Sequence, residues 1–150
     1  HVQWSHTLLE KMQISRADHL PVVAAFCRRI GLIETVNRVV PTRMEVDVGT
    51  VVQGMVLDTL SGRSPLYRLA DFFRHQDTEL LLGRDVSWST FNDTTVARAM
   101  DAVFEAGAQK VFSEVAFHAA GQFPLDMRHV HFDTTSVNVW GDYRGCDPAS

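Results

Sequence analysis

The chain has 150 residues, of which 45% are hydrophobic and 21% charged, a balance typical of a folded domain and not of a disordered or collagen-like chain. Its longest apolar runs stop well short of the roughly 20 residues that cross a bilayer, so we expect no membrane span. Fourteen Lys and Arg against eighteen Asp and Glu give a net charge of −4, which argues against a histone-like coating of nucleic acid.

The charge is uneven along the chain. Residues 1–75 carry nine basic and seven acidic side chains, whereas residues 76–150 carry five and eleven. The first half is therefore the half that we expect to face anions such as phosphate. The two cysteines, Cys27 and Cys146, lack the spacing of a metal site, and we interpret both as free thiols in a reducing, cytoplasmic setting.

Apolar residues at helical spacing predict seven helical segments between residues 18 and 120. In chain order these cover 18–30, 33–40, 48–60, 66–75, 79–82, 93–106 and 110–120. Asp18, Asp47 and Asn92 are the expected N-caps, because a short polar side chain can accept a hydrogen bond from the first helical turn. Short polar turns join the segments, so the sequence predicts a compact, mainly α domain at residues 17–124 that follows a tail at residues 1–16.

Two features predict what lies in the core of this domain. The third segment is apolar on nearly all sides, which indicates a central, buried helix. Aromatic residues at helical spacing are expected to pack inside, and so are the tryptophans. These residues are Phe72, Phe73, Phe104, Phe112, Trp4, Trp88 and Trp140.

The composition changes after Pro124. Residues 129–140 are rich in β-branched and aromatic types and alternate with period two, which is typical of a strand. A single strand cannot satisfy its own backbone, and no partner strand precedes it. We therefore expect residues 125–150 to begin a second fold, whose remaining strands belong to a longer protein.

This strand carries His129, His131 and Asp133 on one face if it is regular. Two imidazoles and a carboxylate suit zinc or iron, as in a small metal-dependent hydrolase. Asp133 alone suits Mg²⁺, the usual ion of phosphoryl chemistry. A third interpretation leaves the histidines as ordinary polar positions of a half-exposed strand, and spacing alone favours it.

Six short motifs follow one another along the chain. They are GRSPLYRL at 62–69, DFF at 71–73, LLG at 81–83, FND at 91–93, HFDTTS at 131–136 and GDY at 141–143. In this order they resemble the amino-terminal part of bacterial insertion-sequence transposases of the DDE type. In that family a helical domain of unknown function precedes a catalytic core with a ribonuclease-H-like α/β fold.

The resemblance implies a role for one residue in particular. Asp133 matches the first acid of the family's Asp-Asp-Glu triad, which binds Mg²⁺ or Mn²⁺ for DNA strand transfer. A two-metal site needs carboxylates that hold both ions, and the second Asp and the Glu have no counterpart here. The resemblance therefore implies that the chain supplies part of a catalytic site and is inactive alone.

The resemblance also implies that the helical domain binds the terminal inverted repeats of the element, as double-stranded DNA, or pairs transposase subunits. Arginine suits phosphate and guanine because its planar fork donates two parallel hydrogen bonds. The candidate DNA-binding residues are Arg28, Arg29, Arg38, Arg43, Arg63, Arg68 and Arg74. The alternative is a non-catalytic helical domain that works by dimerisation, as a remnant of a decayed element.

Overall fold

The computed structural model describes residues 18–62 and 65–123. These residues form seven α-helices and two short 3-10 helices, without a strand among them, so the mainly helical fold class is confirmed. The α-helices are α1 Leu20–Arg29, α2 Leu32–Val39, α3 Val48–Ser61, α4 Leu69–Phe73, α5 Thr78–Leu82, α6 Asp93–Ala106 and α7 Ala108–Gln122; the 3-10 helices are Leu66–Arg68 and Trp88–Phe91. The predicted strand at 129–140 lies outside the described residues.

Side-chain caps begin three of the helices. Asp47 accepts a hydrogen bond from the backbone N–H of Thr50 at 2.9 Å, and Asn92 accepts one from Thr95 at 3.0 Å. Asp77 accepts one from the backbone N–H of Leu80 at the start of α5, at 2.9 Å. The caps predicted at Asp47 and Asn92 are therefore confirmed, and each satisfies an N–H that has no partner within its helix.

Two predicted boundaries were wrong. Helix α1 begins at Leu20 with His19 at the N-cap position, because Asp18 has a positive φ of 41° and belongs to the preceding turn. The segment predicted as one helix over 66–75 is a 3-10 turn followed by the short helix α4. The break falls at Arg68, whose φ of −106° and ψ of 15° leave the α-helical path.

Helix α3 is the centre of the domain, as its apolar character predicted. It contacts α1, α2, α4, α5 and α6, and Val48, Val51 and Leu57 on it are completely buried. Gln53 is buried as well and donates from Nε2 to the carbonyl oxygen of Leu81 at 2.8 Å. This bond satisfies a carbonyl at the end of α5, where the helix itself offers no donor.

Asp47 also ties α3 to the rest of the fold. Besides its cap, its carboxylate accepts from Asn37 Nδ2 at 2.8 Å and from Arg84 Nη1 at 2.7 Å. Burial works to raise the pKa of Asp47, but the hydrogen bonds from Asn37 and Thr50, with the charge of Arg84, outweigh it and hold the pKa below its ordinary value. The carboxylate is therefore held in its charged form.

Aromatic rings fill the core beside α3. Phe73 and Phe91 stack with ring centroids 4.3 Å apart, and Phe72 packs edge-on against Phe73 at 4.9 Å. The prediction that Phe104 and Phe112 are core residues was wrong, because they are 82% and 67% exposed. Each lies on the side of its helix that no other described element covers.

Helix α7 closes the domain against its beginning. It packs on α2 and α6, and Arg38 on α2 pairs with Glu114 at 3.4 Å. His118 Nδ1 lies 2.8 Å from the carbonyl oxygen of Ile30, at the end of α1. In the described part of the chain, none of the helices is long and apolar enough to cross a membrane.

Candidate functional site

The described candidate DNA-binding arginines are spread over four segments of the chain. Arg28 and Arg29 lie in the last turn of α1, and Arg38 lies in the last turn of α2. Arg43 lies in the exposed loop before α3. Arg68 and Arg74 stand at the two ends of α4. The remaining predicted site residues lie outside the described residues; they are Arg63, His129, His131 and Asp133.

Three of these arginines are engaged with carboxylates of the domain itself. Arg38 pairs with Glu114, while Arg68 and Arg74 both bind Asp71, at 3.2 and 3.6 Å. A phosphate would have to compete with a carboxylate at each of them. Such exposed ion pairs are weak, but they lower the positive charge that each arginine offers.

Arg74 also contacts an aromatic ring. Its guanidinium lies 4.5 Å from the centre of the Trp88 ring, a cation–π contact. Trp88, predicted to be a packing residue, is 40% exposed, so it packs against this side chain at the surface and not in the core.

The other three candidates form no ion pair with a described residue. Arg28 donates to the carbonyl oxygen of Leu80 at 3.2 Å, and Arg29 lies 4.5 Å from the centre of the Phe123 ring. Arg43 is exposed. Within residues 18–62 and 65–123, no carboxylate compensates the charge of these three side chains, which leaves that charge for an anion.

A cleft of about 630 Å³ opens between the α4–α5 turn and the segment that follows α5. Asp77, Glu79 and Asp85 line it together with Arg74 and Trp88, so carboxylates outnumber cations. A phosphate would be repelled there. The described residues contain no group of three or more His, Cys, Asp or Glu that could hold a metal ion.

Cys27 is the one cysteine among the described residues, and it is a buried free thiol, as predicted for that residue. Burial raises the pKa of Cys27 above its ordinary value. This effect outweighs a backbone hydrogen bond and the charge of Arg28, which both act to lower the pKa. Because the thiolate is the reactive form, Cys27 is not suited to act as a nucleophile.

The most unusual surface is the solvent-facing side of α7. Helical spacing places six uncharged residues on this side, with Gln109 and the charged Lys110 one turn earlier on the same side; we call the six residues the α7 outer face. They are Phe112, Ser113, Ala116, Phe117, Ala119 and Ala120. Phe117 is 83% exposed and Phe112 67%, whereas a soluble protein usually exposes large apolar side chains singly.

Contacts on the opposite side of α7 hold the helix in an orientation that turns the outer face to solvent. Val111 is buried, Val115 packs against the core, and Glu114 and His118 bind α2 and α1 as described above. Helix α7 therefore cannot turn its phenylalanines inward without breaking these interactions. Sequence reasoning missed this surface, although apolar residues on two sides of α7, Val111 and Val115 on one and Phe112 and Phe117 on the other, were a signal for it.

A family model described as a domain of unknown function, DUF4277, matches residues 12–117. The chain belongs to the DUF4277 family. No curated protein and no solved structure matches the chain.

The DUF4277 match spans α1 to α6 and the first ten residues of α7. Phe112 and Phe117 of the α7 outer face lie within it, as do Arg28, Arg29 and Arg43. The DUF4277 domain thus contains both the exposed aromatic surface and the unpaired arginines, whereas Asp133 follows the match.

Proposed function

We propose that this chain is the amino-terminal part of a DDE-type insertion-sequence transposase and that its DUF4277 domain joins transposase chains into an assembly. The α7 outer face carries the assembly role. The ordered motifs from GRSPLYRL to GDY support the transposase part, because they follow the order of that family's helical domain and first catalytic strand.

In this proposal Asp133 contributes the first carboxylate of a metal site for DNA strand transfer. Bound Mg²⁺ or Mn²⁺ would activate the attacking oxygen and stabilise the leaving one. One carboxylate cannot hold two ions, so the remaining acids come from elsewhere in the assembled enzyme. The 150-residue chain alone is then a recognition and assembly unit.

The exposed phenylalanines of the α7 outer face carry a free-energy cost in water that assembly would remove. Burial of apolar surface gains roughly 25 cal/mol per Å², and a phenylalanine buries about 150–250 Å². Two phenylalanines exposed to this degree on one helix therefore offer a substantial gain to a partner that covers them. The six residues of the face bear no charge, and the exposed Lys110 lies one turn before Ser113 on the same side of the helix.

Sedimentation velocity of the 150-residue chain across the micromolar range tests the proposal. We expect dimers or larger species that the double substitution Phe112→Ser and Phe117→Ser converts to monomers. Tyr67→Ser is the matched control, since Tyr67 is 70% exposed and lies away from α7; it should leave the assembly intact. A wild-type chain that stays monomeric at every concentration would overturn the assembly role.

DNA binding is the second candidate function, and the unpaired Arg28, Arg29 and Arg43 favour it. Contacts from these side chains to phosphate would give affinity that falls with salt and depends little on sequence. The terminal inverted repeats of the element are the proposed duplex.

Fluorescence anisotropy with that duplex tests this second function. Replacing the three arginines by alanine should weaken binding and flatten its salt dependence, by about 0.9 in log K against log salt for each phosphate that the variant no longer binds. Arg98→Ala is the control, because Arg98 is also exposed but lies on α6. Equal binding by the wild type and the triple variant would exclude these residues as the DNA site.

A further inference from the structure

We infer that the exposed side of α1 is the docking surface for the chain's own residues 124–127, with Leu125 packed over Val22. This contact goes beyond the proposed assembly function, because it concerns how the helical domain holds the part of the chain that follows it. We call the surface the α1 outer face. It comprises four exposed residues at helical spacing, which are Val22, Ala25, Phe26 and Arg29.

A residue of the same chain already occupies one end of this face. The Phe123 ring stacks on the Phe26 ring, with the ring centroids 5.2 Å apart and an angle of 10° between the planes. The guanidinium of Arg29 lies 4.5 Å from the centre of the Phe123 ring, a cation–π contact. Phe123 is the last described residue, so the residues that follow it start on the α1 outer face. Val22, at the other end of the face, is 70% exposed.

The path of the chain leads from Phe123 toward Val22. His118 Nδ1 contacts the carbonyl oxygen of Ile30, at the end of α1. Phe123, five residues later, contacts Phe26, which lies one turn closer to the start of α1. The chain therefore moves toward the start of α1 as it leaves α7, and the next exposed apolar residue of α1 in that direction is Val22.

Backbone geometry decides which residue reaches Val22. Phe123 is extended, with φ −129° and ψ 142°, a conformation that the following proline favours. In an extended chain every second side chain lies on the same side, about 6.6 Å apart. Val22 and Phe26 are four residues apart on α1, which is about 6 Å along the helix axis. Because the two spacings agree, Leu125 lies level with Val22.

The sequence after α7 alternates as this register requires. Residues 123–128 read Phe-Pro-Leu-Asp-Met-Arg. The large apolar residues at 123, 125 and 127 fall on the side toward α1, and the charged residues at 126 and 128 fall on the side toward solvent. Such alternation is typical of an extended segment that is buried on one side.

Docking of Leu125 limits how far Asp133 can lie from the helical domain. The two residues are eight positions apart, and eight extended residues span at most about 29 Å. In the proposed transposase, on which this consequence alone rests, the α1 outer face keeps the first metal-binding carboxylate within roughly 30 Å of α1.

Thiol labelling of the 150-residue chain tests the inference. In a Cys146→Ser background, where Cys27 is buried, Val22→Cys reports whether the α1 outer face is covered. Tyr67→Cys is the matched control, because Tyr67 is also 70% exposed but lies on the first 3-10 helix. A segment that leaves its site at most about 10% of the time slows labelling about tenfold or more. Val22→Cys should show this slowing relative to Tyr67→Cys, each rate being divided by that of the same protein in urea.

Substitutions in the docked segment test the register. Leu125→Asp should raise the labelling rate of Val22→Cys to that of Tyr67→Cys. Asp126→Ala is the control, since residue 126 lies on the side away from α1, and it should leave labelling slow. A disulfide needs Cβ atoms about 3.5–4.5 Å apart. Mild oxidation should therefore join Val22→Cys to Leu125→Cys within one chain, and should not join Val22→Cys to Asp126→Cys.

The remaining outcomes overturn the inference. Labelling of Val22→Cys as fast as that of Tyr67→Cys means that the face is open. Slow labelling that Leu125→Asp does not relieve means that something else covers Val22: a second copy if the rate depends on protein concentration, and residues 1–16 if it does not. Equal acceleration by Leu125→Asp and Asp126→Ala, or formation of both disulfides, means that the register is wrong. These measurements follow contacts within one chain, so their failure leaves the assembly function standing.

Discussion

Gly49 and Ile33 bring helices α2 and α3 into direct backbone contact. A Cβ atom on Gly49 would lie 2.5 Å from the carbonyl oxygen of Ile33 and 2.8 Å from Asn37 Oδ1. Both are closer than real Cβ contacts, and the nearest atom is backbone, which cannot swing away. Glycine is therefore required for these two helices to pack as they do.

Gly49→Ala is expected to lower the free energy of unfolding by about 1–3 kcal/mol or more, because the helices must separate to admit the methyl group. Urea denaturation followed by circular dichroism measures the change. Gly121→Ala is the matched control: no atom of a described residue lies within 4 Å of a Cβ built there, so it should stabilise the chain by up to about 1 kcal/mol. Equal effects of the two substitutions would refute the close contact.

Asp47→Ala should destabilise the domain by roughly 0.5–2 kcal/mol, since it removes the N-cap of α3 and the partner of Arg84 and Asn37. Asp47→Asn should cost less, because an amide oxygen still caps Thr50. Thermal unfolding of both variants against the wild type gives the ranking. Equal losses for the two variants would show that the charge, and not the cap, dominates.

The lowered pKa of Asp47 predicts an acid-dependent loss of stability. The folded state binds this proton less readily than the unfolded state, so the contribution is complete above the ordinary aspartate pKa, near 3.9. It is lost as the pH falls through the lower pKa of the folded protein. Urea midpoints measured from neutral pH downward should fall less steeply for Asp47→Asn than for the wild type.

Phe91→Ala and Phe104→Ala make the same chemical change in opposite environments. Phe91 is fully buried and Phe104 is 82% exposed. We expect a loss of about 3–5 kcal/mol at Phe91 from lost burial and the resulting cavity, and a change within about 0.5 kcal/mol at Phe104. Comparable losses in a dilute, monomeric sample would mean that Phe104 is covered in solution.

Cys27 should resist thiol reagents while the domain is folded. In Cys146→Ser protein, a colorimetric disulfide reagent should label Cys27 only when urea unfolds the chain, because burial both shields the thiol and raises its pKa. Labelling in native buffer at the rate of a free thiol would contradict the buried position of Cys27.

The sequence predicted the helices well where the signal was local. The caps at Asp47 and Asn92 and the end of the fifth segment at residue 82 depend on a few neighbouring residues, and the structure has all three. Asp18 shows the limit of such signals, since a capping residue type also suits the turn that precedes a helix.

Tertiary relationships could not be predicted in this way. Helical spacing alone placed Phe104 in the core, because it cannot say whether another element covers that face of the helix. The contacts between Arg84 and Asp47, or between His118 and Ile30, join residues far apart in sequence and leave no local pattern. The candidate DNA-binding arginines were likewise chosen by residue type alone. Which of them form ion pairs depends on where the fold places the carboxylates of Asp71 and Glu114.

The contacts of α7 determine when the domain can be completed during synthesis. Arg38 and Glu114 are 76 residues apart, and Ile30 and His118 are 88 apart. When α1 to α3 have left the ribosome, the central helix has been made but α7, which covers one side of α2, has not. That side of α2 therefore stays open to solvent until α7 emerges. Chaperones that bind nascent chains would meet this apolar side of α2, and a chain that ends before residue 111 would never cover it.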